Sequence, residues 1–167
     1  MIEPQNTMGV YSGSKVFQES QEIIERSLAE KPLEATIGAL QRHPLFQGCS
    51  KATLMQMLQS GSDTVGFHPG GFLCRSGQPV DSLLFVLCGR AKAELRAGRL
   101  AQQAIVLDLL GPGSLLGLMS LIDSGPHSAT VVAMTRVEVV RLDLDTMRSM
   151  LHNNLHWYKI CAEIAAE

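Results

Sequence analysis

The residues richest in chemical content lie together in GLMSLIDSGPHSATV, residues 117–131. A glycine at the head permits a tight turn with positive φ. A short helix opening at Gly117 would present backbone N–H groups without intrahelical partners, and such groups favour an anion. The stretch closes as Pro126-x-x-Ala129-Thr130-Val131, with the imidazole of His127 and the hydroxyl of Ser128 beside the proline. This chemistry holds a phosphate or another small anion; it does not make or break bonds. The candidate ligand-binding residues are Gly117, Leu118, Met119, Ser120, His127, Ser128 and Ala129. His127 has two readings. Protonated, it donates to an anion, which in turn raises its pKa; otherwise it is a surface histidine on the turn after Gly125-Pro126.

Other groups were weighed for chemistry. His152 and His156 stand four apart, but no glutamate or third ligand completes an H-E-x-x-H frame, so they are read as surface or capping residues and no metal is expected. Cys49, Cys74, Cys88 and Cys161 form no C-x-x-C pair and are read as small core hydrophobes in a reducing compartment. No nucleophile elbow, P-loop or paired-carboxylate motif is present. The expectation is a protein that is not an enzyme.

These residues need elements to position them. LEATIGALQRH reads as a helix stopped by Pro44, with Leu45 and Phe46 as an apolar plug. Ser50 is a candidate N-cap for KATLMQMLQS, with Leu54, Met57 and Leu58 on one side. An earlier helix is read over VFQESQEIIERSLAE, up to Pro32. After Gly61 the chain changes character. DTVGFH, GFLCR, LLFVLC, AKAEL, AIVLDLL, SATVVAMT and VEVVRLD are short apolar runs separated by turn-forming clusters, as in an antiparallel sandwich or barrel. Helical pattern returns in DLDTMRSML, where Asp143 and Asp145 suit a helix start, and in LHWYKICAEIAAE.

The length of 167 residues fits one domain with a core. Apolar residues at 46% and charged residues at 18% exclude a disordered chain. A net charge of −2 and the lack of a Lys/Arg cluster give no pull towards nucleic acid or an anionic membrane. No apolar run approaches the ~20 residues that span a bilayer. MIEPQNTMGVYSGSK is not a secretory signal, so a cytoplasmic location is expected.

The glycines carry a resemblance. FHPGGFLCRSGQPVDSLLFVLCGRAKAEL, with Gly70, Gly77 and Gly89, resembles the first half of a cyclic nucleotide-binding domain. LLGPGSLLGLMSLIDSGPHSATVVAMTRVEVVRLD, with Gly113, Gly117 and the Pro126-x-x-Ala129-Thr130-Val131 ending, resembles the second half and its phosphate-binding cassette. The likeness runs from about Leu33 to the end. It implies a mainly β fold: an antiparallel, jelly-roll-like eight-stranded barrel (a double-stranded β-helix). Helices precede it, and a hinge helix and a C-terminal helix follow. The expected division is a tail and helix over 1–32, the barrel with its leading helices over 33–142, and hinge and dimerisation helices over 143–167.

In that family a glutamate follows the cassette glycine and takes the ribose hydroxyl, and an arginine after the proline clamps the cyclic phosphate. Here Leu118 stands at the first position and His127 at the second. Losing one half of a buried charge-assisted pair costs ~2–5 kcal/mol, and losing a hydrogen bond to a charged group ~1.5–3 kcal/mol. Three readings stay open. One is a regulatory sensor of cyclic AMP, cyclic GMP or another small anion, relaying occupancy through 143–167 to a second copy or a downstream protein. Another is a degenerate interaction module in which Leu115, Leu116 and Leu118 help fill the pocket. The last is the effector half of a Crp/Fnr-type regulator whose DNA-binding domain lies beyond Glu167; this chain alone would bind no nucleic acid.

Overall fold

The computed structural model describes residues 33–95 and 104–152, together with Trp157, Lys159, Ile160, Ala162, Glu163 and Ala166. The helix read over VFQESQEIIERSLAE lies outside the described residues, as do His156, Cys161 and the side chain of His152.

Helix α1 (Leu33–Gln41) ends before Pro44, and Pro44–Phe46 form one turn of 3-10 helix that buries Leu45 and Phe46 completely. The apolar plug is thus present. Ser50 caps α2 (Lys51–Gln59): its hydroxyl accepts from the Thr53 N–H at 3.1 Å, and Leu54, Met57 and Leu58 face inward. The strands are β1 (Asp63–Phe67), β2 (Phe72–Cys74), β3 (Ser82–Cys88), β4 (Ala91–Leu95), β5 (Ile105–Leu110), β6 (Leu115–Leu116), β7 (Thr130–Ala133) and β8 (Val137–Asp143). Helix α3 (Leu118–Asp123) interrupts them, and α4 (Leu144–His152) follows. Asp143 supports the start of α4, its carboxylate accepting from both the N–H and the hydroxyl of Thr146 at 2.8 Å.

The eight antiparallel strands make the expected jelly roll, as two four-stranded sheets, β1-β8-β3-β6 and β2-β7-β4-β5, rather than one closed barrel. Alternation along β3 explains the layering. Leu83 and Phe85 join a core cluster with the helices, while Leu84 and Val86 join a second cluster between the sheets. A strand buried on both faces reads as the unbroken apolar run LLFVLC. In β8, Val140 and Leu142 divide from Val137 and Val139 in the same way.

Strand β5 departs from its composition. AIVLDLL is one of the apolar runs, yet Ile105, Val106, Leu107 and Leu109 are at least half exposed, and β5, at the edge of its sheet, pairs only with β4 among the described residues. Cys74 is buried, as read, whereas Cys49 and Cys88 are only half-buried.

Candidate functional site

The cassette is held in place from both sides. Gly117 has φ +87°, a conformation that favours glycine, and a Cβ there would come within 3.2 Å of Leu83 Cδ2 and Val80 Cγ1, side-chain ends that would have to yield by a few tenths of an ångström. It opens α3 with no side-chain cap on the first-turn N–H groups. Beyond α3, Ser124 takes a left-handed conformation (φ +57°), and Gly125 N–H donates to Asp123 Oδ1 at 2.7 Å. The chain then crosses the β2–β3 loop. There Gly77 N–H donates to the His127 carbonyl at 2.8 Å, and His127 N–H to the Gln78 carbonyl at 2.9 Å. Ser76 adds two bonds, its N–H to Thr130 Oγ1 at 3.1 Å and its hydroxyl to the Ser128 carbonyl at 3.3 Å.

All seven candidate residues line one cavity of about 300 Å³ between α3, the 126–129 turn and the second sheet. Their parts differ. Leu118 is 9% exposed and belongs to the core cluster with Leu83, Leu121 and Met147, so it packs inward and presents only an edge to the cavity. Met119 is half exposed. Ser120 is buried, and its hydroxyl donates to the Gly125 carbonyl at 2.7 Å, which closes the loop after α3. Ser128 is exposed at the rim.

His127 is not the surface residue that one reading made it. It is half-buried in the cavity wall, and burial lowers its pKa while the nearby Asp81 carboxylate pulls the other way. Asp81 itself accepts from the Ser82 hydroxyl at 2.7 Å and lies 3.9 Å from the Arg141 guanidinium.

The rest of the wall comes from Cys74, Ala93 and Leu110, which are distant in sequence, and from Leu115, Leu116, Pro126 and Val131, which adjoin the candidate residues. The sequence points to Leu115 and Leu116 as pocket-facing but singles out none of Cys74, Ala93 and Leu110 for that role. The small alternating residues of AKA in β4 were the available signal, since Ala93 pairs with Val131 across the sheet. Burial pushes the Cys74 thiol up to about 11, so it stays protonated and serves as apolar wall, not as a nucleophile.

Acid should loosen this structure. His43 and His127 both have pKa values lowered by burial. In the window between those values and the ordinary histidine value the unfolded chain binds more protons, so stability rises with pH there. The melting temperature is expected to fall as pH goes from about 7.5 to about 5, through the ordinary histidine value. The His43→Gln, His127→Gln variant should show a flatter profile across that window by scanning calorimetry.

A jelly roll in which a glycine-led helix and a proline turn border an open cavity is the frame of this site. The chain belongs to the cyclic nucleotide-binding domain family, whose model matches residues 64–154. It is 28% identical over 112 residues to the CRP-like cAMP-activated global transcriptional regulator of Mycobacterium tuberculosis, across 67% of this chain and 49% of that one. It is 36% identical over 100 residues to a cyclic nucleotide-gated potassium channel of Mesorhizobium japonicum, across 59% of this chain and 25% of the channel. The chain thus spans about half the length of the first relative and a quarter of the second. In fold it is similar to the sensor domain of the transcriptional regulator DNR from Pseudomonas aeruginosa (TM-score 0.70, 22% identity, 80% of this chain and 89% of that one). No helix among the described residues is long and apolar enough to cross a membrane.

Proposed function

We propose that this chain is a non-enzymatic, cytoplasmic regulatory domain whose cassette holds the phosphate of cyclic AMP or cyclic GMP, or a small anion of like charge. One observation carries the reading: Gly117, His127 and the other cassette residues converge on a cavity that is still open. At about 300 Å³ it lies at the lower end of the range for small-molecule sites. The leucines line it without closing it. His127 supplies the cationic group in place of arginine, and the Leu118 and Met119 N–H groups at the start of α3 supply further donors, the Ser120 N–H being taken by the Gly117 carbonyl.

Relay to 143–167 runs through Arg148. From α4 its guanidinium donates to the Ser120 carbonyl at 3.0 Å and to the Ser124 hydroxyl at 3.0 Å, which fastens the hinge helix to the middle and the C-terminal end of α3. A ligand that favours one placement of α3 biases α4 through this clamp by its differential affinity for the two placements. A second copy or a downstream protein reads the result at 143–167.

A thermal-shift titration with cyclic AMP tests the reading. The melting temperature should rise progressively with concentration, by an amount equivalent to about 2.7 kcal/mol at a hundredfold excess over Kd. No shift at millimolar ligand would favour the interaction module, which the burial of Leu118 supports. The clamp has its own readout. Trp157 is the chain's single tryptophan and is buried against Phe46, with ring centroids 5.8 Å apart. Ligand should alter Trp157 emission in the natural chain. In Arg148→Ala the thermal shift should persist while the emission change is lost.

A further inference from the structure

A second cavity, lined by the end of α1, the 43–44 turn, β3 and the 112–114 turn, shares no lining residue with the cassette cavity and is larger, at about 460 Å³ against 300 Å³. We propose that it is a binding site for a small aromatic carboxylate, with Arg42 and His43 taking the carboxylate and the exposed rings of Pro44 and Pro112 taking the apolar ring.

The polar groups of the wall are donors. The His43 Nδ1 accepts from the Leu45 N–H at 3.2 Å, which places the ring proton on Nε2 and leaves that N–H to donate. His43 is fixed in this pose by edge contacts with Phe46 and Phe85, at centroid distances of 5.8 and 6.1 Å. The Ser114 hydroxyl accepts from the Gly111 N–H at 3.1 Å, so its own proton remains to be given. The neighbouring backbone is already spent: Val86 N–H donates to the Ser114 carbonyl, and Gly113 N–H to the Val86 carbonyl. Arg42 lies at the exposed end of α1 and forms no ion pair among the described residues.

No carboxylate side chain lines the cavity. Two nitrogen donors and a hydroxyl with no opposing negative charge suit a carboxylate, which accepts at two oxygens. The accessible remainder of the wall is proline and aliphatic surface, from Pro44, Pro112, Ala39 and Leu87, which suits a flat apolar body. A phosphate alone would leave that surface empty, and a neutral arene would leave the guanidinium unused.

The test is a titration of the full chain with benzoate, and with benzamide as the neutral match in shape. Binding is followed through the imidazole NMR signals of His43 and His127. Benzoate should shift the His43 signals along a saturable isotherm and leave His127 in place, and benzamide should bind at least about tenfold more weakly. Arg42→Gln should weaken benzoate by about tenfold with an unchanged melting temperature, since Arg42 is exposed and packs little. Ser114→Ala gives a second variant on the opposite wall and should weaken benzoate by a smaller factor. No saturable shift at His43, equal binding of benzamide, full binding by Arg42→Gln, or a shift confined to His127 would each overturn the proposal.

Discussion

Replacing Gly89 by alanine is expected to destabilise the domain by about 2–5 kcal/mol, one of the largest effects of any single methyl group in this chain. Gly89 turns the chain from β3 into β4 with φ +91°. A Cβ there would lie 2.1 Å from the Arg136 carbonyl oxygen and 2.8 Å from Val137 Cα. Both obstacles are backbone at the head of β8, the strand paired with β3, so no side-chain rotamer relieves the clash. Left-handed strain contributes roughly 1–2 kcal/mol and the forced backbone shift roughly 1–3 kcal/mol. Gly77, at φ +82°, meets nothing within 4 Å of its own added Cβ. Gly77→Ala should therefore cost only the strain, about 1–2 kcal/mol. Urea midpoints of the two variants, at unchanged m-value, measure the difference.

The second large effect is a gain. The Leu118→Glu, His127→Arg variant is expected to bind cyclic AMP and cyclic GMP at least about 100-fold more tightly than the natural chain. Each change restores a charge-assisted hydrogen bond of about 1.5–3 kcal/mol, and two of them exceed the 2.8 kcal/mol that corresponds to about a hundredfold. The geometry favours the arginine, because Asp81 already faces position 127 and would hold a guanidinium in the empty pocket. The glutamate has an opposing cost. Leu118 sits in the core cluster beneath α3, so its replacement should lower the melting temperature of the unliganded variant while raising its affinity. Calorimetric titration, paired with melting of the ligand-free proteins, separates the two terms.

The sequence yielded its fold where local pattern and tertiary role agree. LLFVLC is apolar throughout because both faces of β3 are covered, and KATLMQMLQS carries its own cap in Ser50. Strand β5, apolar but for Asp108, has the opposite fate, because exposure at a sheet edge depends on which strands pair and not on composition. The two-residue strand β6 is too short to leave a period, and only its pairing with Leu84 and Phe85 defines it.

The site divides along the same line. Its seven candidate residues are contiguous or nearly so, and a local motif carries them into one cavity together. Cys74, Ala93 and Leu110 arrive through strand register, which no local pattern encodes. The setting of His127 was hidden for a similar reason. Its two backbone bonds to the 77–78 turn draw it off the surface and bring it near Asp81, some forty-six positions earlier.

The most direct test of the central claim, that the cassette binds a phosphate-bearing anion with His127 as its cation, is a calorimetric titration with cyclic AMP at about pH 6 and about pH 7.5. An anion stabilises the imidazolium, so binding takes up a proton and tightens as pH falls. The account predicts saturable binding at both values, tighter at the lower by up to about tenfold per pH unit. The His127→Ala variant should lose that dependence. Absence of saturable binding at either pH, or an affinity in the natural chain indifferent to pH, would contradict it.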